Sequence, residues 1–271
     1  MLNSTVLDVA LGMVFCWGAV ALIASSIYEA IASALKMRAN ELLKGVKELL
    51  NDKKFAGLAK SVYMNALVNP RDPGTAGDAG KLTVKPSYID PLHFAAALIE
   101  AIQDLPTEAA DLKAKIDKIP DEQIRKLLDG MYGRAGGKVE EIQKQLASWF
   151  SAAMDRVSGV YKRKAQVFSF LIALAVAAAL RIDTFHLFSA LWAHPVDVAS
   201  LGVPNLAGQA VADLKTLPIG GQVPGQEAWQ MVVGWVATAC SALFGAPFWF
   251  GLLQRLTNLR GAGPKPATNN A

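Results

Sequence analysis

The stretch GTAGDAGKLT, Gly74 to Thr83, is the chain's nearest approach to a phosphate-binding loop. Such a loop needs GxxxxGK followed by Ser or Thr, so that backbone amides cradle the phosphates and a hydroxyl meets magnesium. Here Gly74 lies one residue too far upstream of Gly80-Lys81, and Leu82 stands where the hydroxyl belongs. Neither a preceding strand nor a following helix is legible, and the stretch reads as a turn. His93, His186 and His194 show no triad or metal-ligand spacing. Cys16 and Cys240 both fall in apolar runs, where a thiol behaves as a small hydrophobe. Glu29 adjoins the first of those runs, and Asp183 with His186 follows the second. Ionisable groups inside a bilayer often mark a proton or ion path, but at the ends of apolar runs these read as hydrated groups. No acid, base and nucleophile share a readable spacing. The sequence therefore points away from an enzyme and implies no cofactor and no metal.

The elements that would position these residues are apolar runs. Val9 to Tyr28 is uncharged over twenty residues, and Ala165 to Leu180 over sixteen, fenced by Lys162-Arg163-Lys164 and Arg181. Ala228 to Gln254 is uncharged throughout. A helix of about 20 residues crosses the ~30 Å hydrocarbon core, and flanking Lys and Arg can snorkel to extend a shorter one. The sequence thus predicts an all-α polytopic membrane protein with three transmembrane helices. Only 18% of the 271 residues are charged, below the roughly 25% of a soluble domain. The net charge of +4 is small, and no basic face interleaved with aromatics suggests nucleic acid. The first Lys or Arg is Lys36, so the opening run lacks the basic start of a secretory signal and reads as a retained span.

Charge orients the spans. Residues 36–164 carry 22 Lys/Arg against 17 Asp/Glu, while Lys215 is the only Lys or Arg in residues 182–227. The positive-inside rule then places the N-terminus outside and the C-terminus in the cytoplasm. The expected layout is a first transmembrane helix over 1–35 and a cytoplasmic helical domain over 36–164. A second span over 165–181, an external loop with an interfacial helix over 182–227, a third span over 228–254 and a basic tail over 255–271 follow. Lys36, Arg38, Lys162, Arg163, Lys164, Arg255 and Arg260 are the expected anchoring cations, facing anionic lipid headgroups. Pro247, beside Gly245, is a candidate hinge.

Within 36–164 the periodicity is helical. Ile27, Ile31, Leu35, Leu42, Val46 and Leu49 keep one apolar face, which predicts an unbroken first helix reaching about Asn51-Asp52. Leu146, Phe150, Ala153 and Val157 form a stripe leading into the second span. Antiparallel pairing of the two stripes would set Leu35 opposite Val157 and Val46 opposite Leu146. Asp90-Pro91, Thr107-Glu108 and Pro120-Asp121-Glu122 read as helix starts, and Gly136-Gly137 as the break before the long helix. Ser169/Ala173/Ala177, Gly234/Thr238 and Ala242/Ala246 place small residues at i, i+4, which allows close helix contact within or between subunits.

AMDRVSGVYKRKAQ at 153–166 and GAPFWFGLLQRLTNLRGAGPKP at 245–266 resemble a group of uncharacterised bacterial membrane proteins with a similar order of spans. The resemblance implies a bacterial inner membrane protein and carries no activity. Taken together, the residues lead to a non-enzymatic anchoring or assembly protein that presents a helical domain to partners or to copies of itself. The alternative is a subunit of an oligomeric channel or transport complex.

Overall fold

The computed structural model describes residues 5–104, 111–194, 204, 207–220 and 227–261. Among the described residues the regular structure is entirely helical: α1 Thr5–Ala34, α2 Met37–Leu49, α3 Leu58–Met64, α4 Pro91–Gln103, α5 Leu112–Ile116, α6 Glu122–Arg134, α7 Val139–Ala179, α8 Thr184–Ala193, α9 Ala207–Leu214, α10 Ala228–Ala242 and α11 Ala246–Gly261. They form two compact units, Met1–Ile31 with Lys164–Ala271, and Ala32–Arg163.

The unit of residues 32–163 has an ordinary apolar core. Val46, Val62, Phe94, Leu98, Ile102, Leu128, Ile142, Leu146 and Phe150 are fully or almost fully enclosed in it. Phe94 stacks on Phe150 with ring centroids 4.0 Å apart. The starts of α4 and α6 follow from their caps. Asp90 accepts from the Leu92 and His93 amides with Pro91 at the first position, and Asp121 accepts from the Ile124 amide. Gly136 and Gly137 both take positive φ before α7, conformations that only glycine adopts readily. The start expected at Thr107-Glu108 lies outside the described residues; Asp111 caps α5.

Two expectations for this unit need correction. The helix expected to run unbroken to Asn51-Asp52 stops at Ala34, and α2 begins at Met37 with Lys36 left-handed at φ 49. The Asn40 side chain donates to the Leu35 carbonyl at 3.1 Å, satisfying a group that the interruption frees. The matched-height pairing also fails. Leu35 is 61% exposed, and it is Gly45 that faces Val157, whose Cγ2 lies 2.7 Å from where a Cβ on Gly45 would stand. The contact with Val157 is thus made ten residues further along the chain than expected, beyond the interruption. Leu42 and Val46 are buried as the stripe requires, whereas Ile31 and Leu35 are not.

In the other unit, α1 is buried around nearly its whole circumference between Val9 and Ala24, as a helix apolar on every side requires. It is the one described helix long and apolar enough to cross a membrane by itself. α7 with α8 and α10 with α11 qualify only as pairs, bent by 49° and 89°. The run Ala228–Gln254 is therefore two helices, not one straight span. It turns through Leu243, Phe244 and Gly245, the glycine at φ +84.

Side chains in this unit are sorted by size. Ala173 and Ala177 of α7, and Gly234, Thr238, Ala239 and Ala242 of α10, are buried. Val167, Phe168 and Leu171 of α7, and Trp229, Val232, Val233 and Val236 of α10, are exposed. Gly12 receives Leu191 of α8, and Gly18 receives Trp249 and Phe250 of α11. The small residues at i, i+4 thus serve close packing within one chain.

Candidate functional site

The most connected polar cluster lies at the turn between α7 and α8. α7 ends in a Schellman motif: the Ile182 amide reaches back to the Ala177 carbonyl at 2.7 Å, and Arg181 is left-handed at φ 52. Ile182, the residue after it, is buried and so is Ala177, the hydrophobic contact that usually accompanies the motif. Asp183 then caps α8, accepting from the Phe185 and His186 amides at 2.8 and 3.3 Å.

One chain of hydrogen bonds ties this turn to α1 and α10. The Trp17 indole N–H donates to Thr184 Oγ1 at 3.2 Å, and the Thr184 and Thr238 hydroxyls are 2.8 Å apart. Thr238 Oγ1 lies 2.9 Å from the Ile182 carbonyl and 3.0 Å from that of Gly234. A consistent direction runs Trp17 to Thr184 to Thr238 to the Ile182 carbonyl, with each hydroxyl accepting once and donating once. Gly234 is required where it stands, because a Cβ there would collide with the Asp183 carboxylate. The Gly220 amide donates to the Arg181 carbonyl at 3.3 Å. The Ala177, Ala178, Arg181 and Ile182 carbonyls at the interruption are all met by protein donors, as irregular backbone away from water requires. Asp183, expected to be a hydrated group at a helix end, is instead 4% exposed. The bend between α10 and α11 is closed similarly: Trp249 Nε1 donates to the Ser241 carbonyl at 2.7 Å.

The unit of residues 32–163 carries two neighbouring grooves. One, of about 410 Å³, is lined by Lys36, Arg38, Arg71 and Lys85, with Ser33, Thr83 and Ser87 among its hydroxyl groups and no carboxylate. The other, of about 370 Å³, shares Arg38 and Ser87. Its walls carry Leu42, Ile89, Phe150 and Met154, together with Glu41 and Asp155. The irregular loop supplies Arg71 and Lys85 in a fixed geometry. Asp72 accepts from the amides of Gly74 and Thr83 at 3.0 and 2.9 Å, and buried Asn69 donates to the Val84 carbonyl at 2.8 Å. Lys85 Nζ donates to Asn40 Oδ1 at 3.1 Å, on the side chain that also holds the Leu35 carbonyl.

The same loop explains why GTAGDAGKLT is not a phosphate loop. Its Gly80 and Lys81 amides go to the Asp78 carboxylate, and its Gly74 and Thr83 amides go to Asp72. Amides consumed by carboxylates have nothing left for phosphate oxygens.

Of the cations expected to anchor the chain, the structure brings Lys36 and Arg38 into one groove, and adds Arg71 and Lys85 to it. Both lie in the Pro- and Gly-rich segment, far from Lys36 and Arg38 in sequence and each flanked by non-basic residues, so no local pattern marked them. Lys162, Arg163 and Lys164 are exposed on consecutive positions of α7, about 100° apart around the helix. Arg255 is exposed on α11, which also contains Arg260. Pro247 is the second residue of α11, where a missing amide hydrogen costs no hydrogen bond. Among the described residues no group of His, Cys, Asp and Glu has metal-binding geometry. Comparison with family models, curated proteins and solved structures gives no match.

Proposed function

We propose that this chain is a multi-pass protein of the bacterial inner membrane that anchors its helical unit and presents it for assembly with partners or with copies of itself, without catalysing a reaction. The observation that carries the reading is the sorting of side chains in the unit containing α1. Large apolar residues point outward along α7 and α10 while Ala, Gly and Thr point inward. Continuous outward apolar stripes of this kind are unstable in water and suited to hydrocarbon. Three crossings accommodate them: α1, α7 continued by α8, and α10 continued by α11.

In this reading the N-terminus is outside, and residues 36–164 and the C-terminus are cytoplasmic. It is supported by the Lys/Arg distribution. Lys36, Arg38, Lys162, Arg163, Lys164, Arg255 and Arg260 then face anionic headgroups, each contributing about 1 kcal/mol of attraction near the surface. The test is thiol labelling in intact cells, in a Cys240→Ser background. Thr216→Cys should react with an impermeant maleimide and Asp78→Cys should not. The opposite pattern contradicts the orientation.

A second reading, a subunit of an oligomeric channel or transport complex, draws on one observation. The bends at α7–α8 and α10–α11 resemble the interrupted helices that line transport sites. The mass of the detergent-solubilised complex separates the two: a monomer excludes a pore built from several copies.

A further inference from the structure

The geometry points to a binding site for one phosphate-bearing amphiphile in the paired grooves of the 32–163 unit. Its phosphate would lie among Lys36, Arg38, Arg71 and Lys85, and its apolar body along Leu42, Ile89, Phe150 and Met154. Four cations from three separate segments line one groove without a carboxylate, and among the described residues none of the four is in a salt bridge. Like charges so gathered repel one another, and an anion placed between them relieves that repulsion. Phosphate suits the lining, since arginine forks and lysine ammonium groups both bind its oxygens and the Ser33, Thr83 and Ser87 hydroxyls can donate as well.

Two features position the cations. Asn40 accepts from Lys85 Nζ, and the left-handed turn at Lys36 starts α2 with no side-chain cap and no acid in its first turn. The positive end of that helix adds to the field of the side chains. The adjoining groove distinguishes an amphiphile from a bare ion. It shares Arg38 and Ser87 with the basic groove and continues it with apolar walls. Glu41 and Asp155 on those walls exclude the phosphate from the second groove and so fix the ligand's direction. A membrane phospholipid is the source the surroundings favour, because Ala32 and Ser33 of the last turn of α1 line the basic groove. That source rests on the anchoring reading, whereas phosphate recognition does not.

The test is amine acylation of the full-length protein in neutral detergent micelles, read peptide by peptide by mass spectrometry. Phosphatidylglycerol, phosphatidylcholine and inorganic phosphate are added in separate arms. Lys36 and Lys85 should be protected by phosphatidylglycerol at far lower concentration than by phosphate, while exposed Lys44 and Lys126 keep their rates. Arg71→Gln should raise the half-protecting concentration about fivefold, corresponding to ~1 kcal/mol for one cation near an anionic surface. Equal protection by phosphate and phosphatidylglycerol overturns the amphiphile. Unchanged Lys85 acylation in every arm, or protection of Lys44 alongside it, overturns the site. Neither outcome bears on the thiol-labelling test of orientation, so the two readings fail separately.

Discussion

At the scale of single residues, the hydroxyl of Thr238 matters most. It is fully buried and lies within hydrogen-bond distance of the Ile182 carbonyl, at the turn where α7 stops and α8 begins. Thr238→Val keeps the shape and leaves that carbonyl without its donor, which should cost about 1–3 kcal/mol. Thr238→Ser should retain most of the stability, and thermal unfolding in detergent compares the two. Equal loss in both variants would mean that packing, not the hydroxyl, holds the turn. Tyr63 behaves oppositely. Its hydroxyl is buried without a hydrogen-bond partner among the described residues, and burial pushes its pKa up. An unfolded tyrosine ionises near pH 10, below the folded value. Ionisation of Tyr63 therefore leaves stability undiminished below about pH 10 and lowers it as pH rises towards the folded pKa, because the unfolded chain loses this proton first. Tyr63→Phe should leave neutral stability unchanged or slightly raised, and should flatten the alkaline decline seen in pH-dependent melting. A steeper decline in the variant would contradict the burial argument. Neither residue announced itself in the sequence, where Thr238 was one of several polar positions in an apolar run.

At the scale of elements, legibility followed local chemistry. The starts of α4 and α6 could be read because Asp90 and Asp121 satisfy amides of their own helices. The turn between α10 and α11 left a trace in Gly245 and Pro247, although a helix break and a kinked single helix carry the same residues. The stop after Ala34 left none. Apolar spacing continues through Leu35, no Gly or Pro interrupts it, and the compensating bond comes from Asn40, whose side chain is held in turn by the sequence-distant Lys85. Register between α2 and α7 was equally hidden, because two apolar stripes can slide past each other until a particular contact fixes them. Gly45 against Val157 is that contact. Gly45→Leu should destabilise the protein by about 1–3 kcal/mol through overpacking. Adding Val157→Ala should recover part of the loss, as measured by chemical denaturation. No recovery in the double variant would place the contact elsewhere.

At the scale of the whole chain, the helical class was legible, and it holds among the described residues. The inward and outward faces of the apolar region were not. In water an amphipathic stripe declares which side is buried, but a helix that is apolar on all sides gives no such sign. Here size, rather than polarity, separates the faces: Ala173 and Ala177 lie inside while Val167, Phe168 and Leu171 lie outside. The central claim is that those outward faces meet hydrocarbon. Nitroxide labels at Leu171 and Val233, in full-length protein reconstituted in vesicles with Cys240→Ser, test it by collision with oxygen and with a polar nickel chelate. The account predicts frequent oxygen collisions and few nickel collisions at both positions, with the reverse at exposed Lys126. Nickel access at Leu171 and Val233 as high as at Lys126 would contradict it.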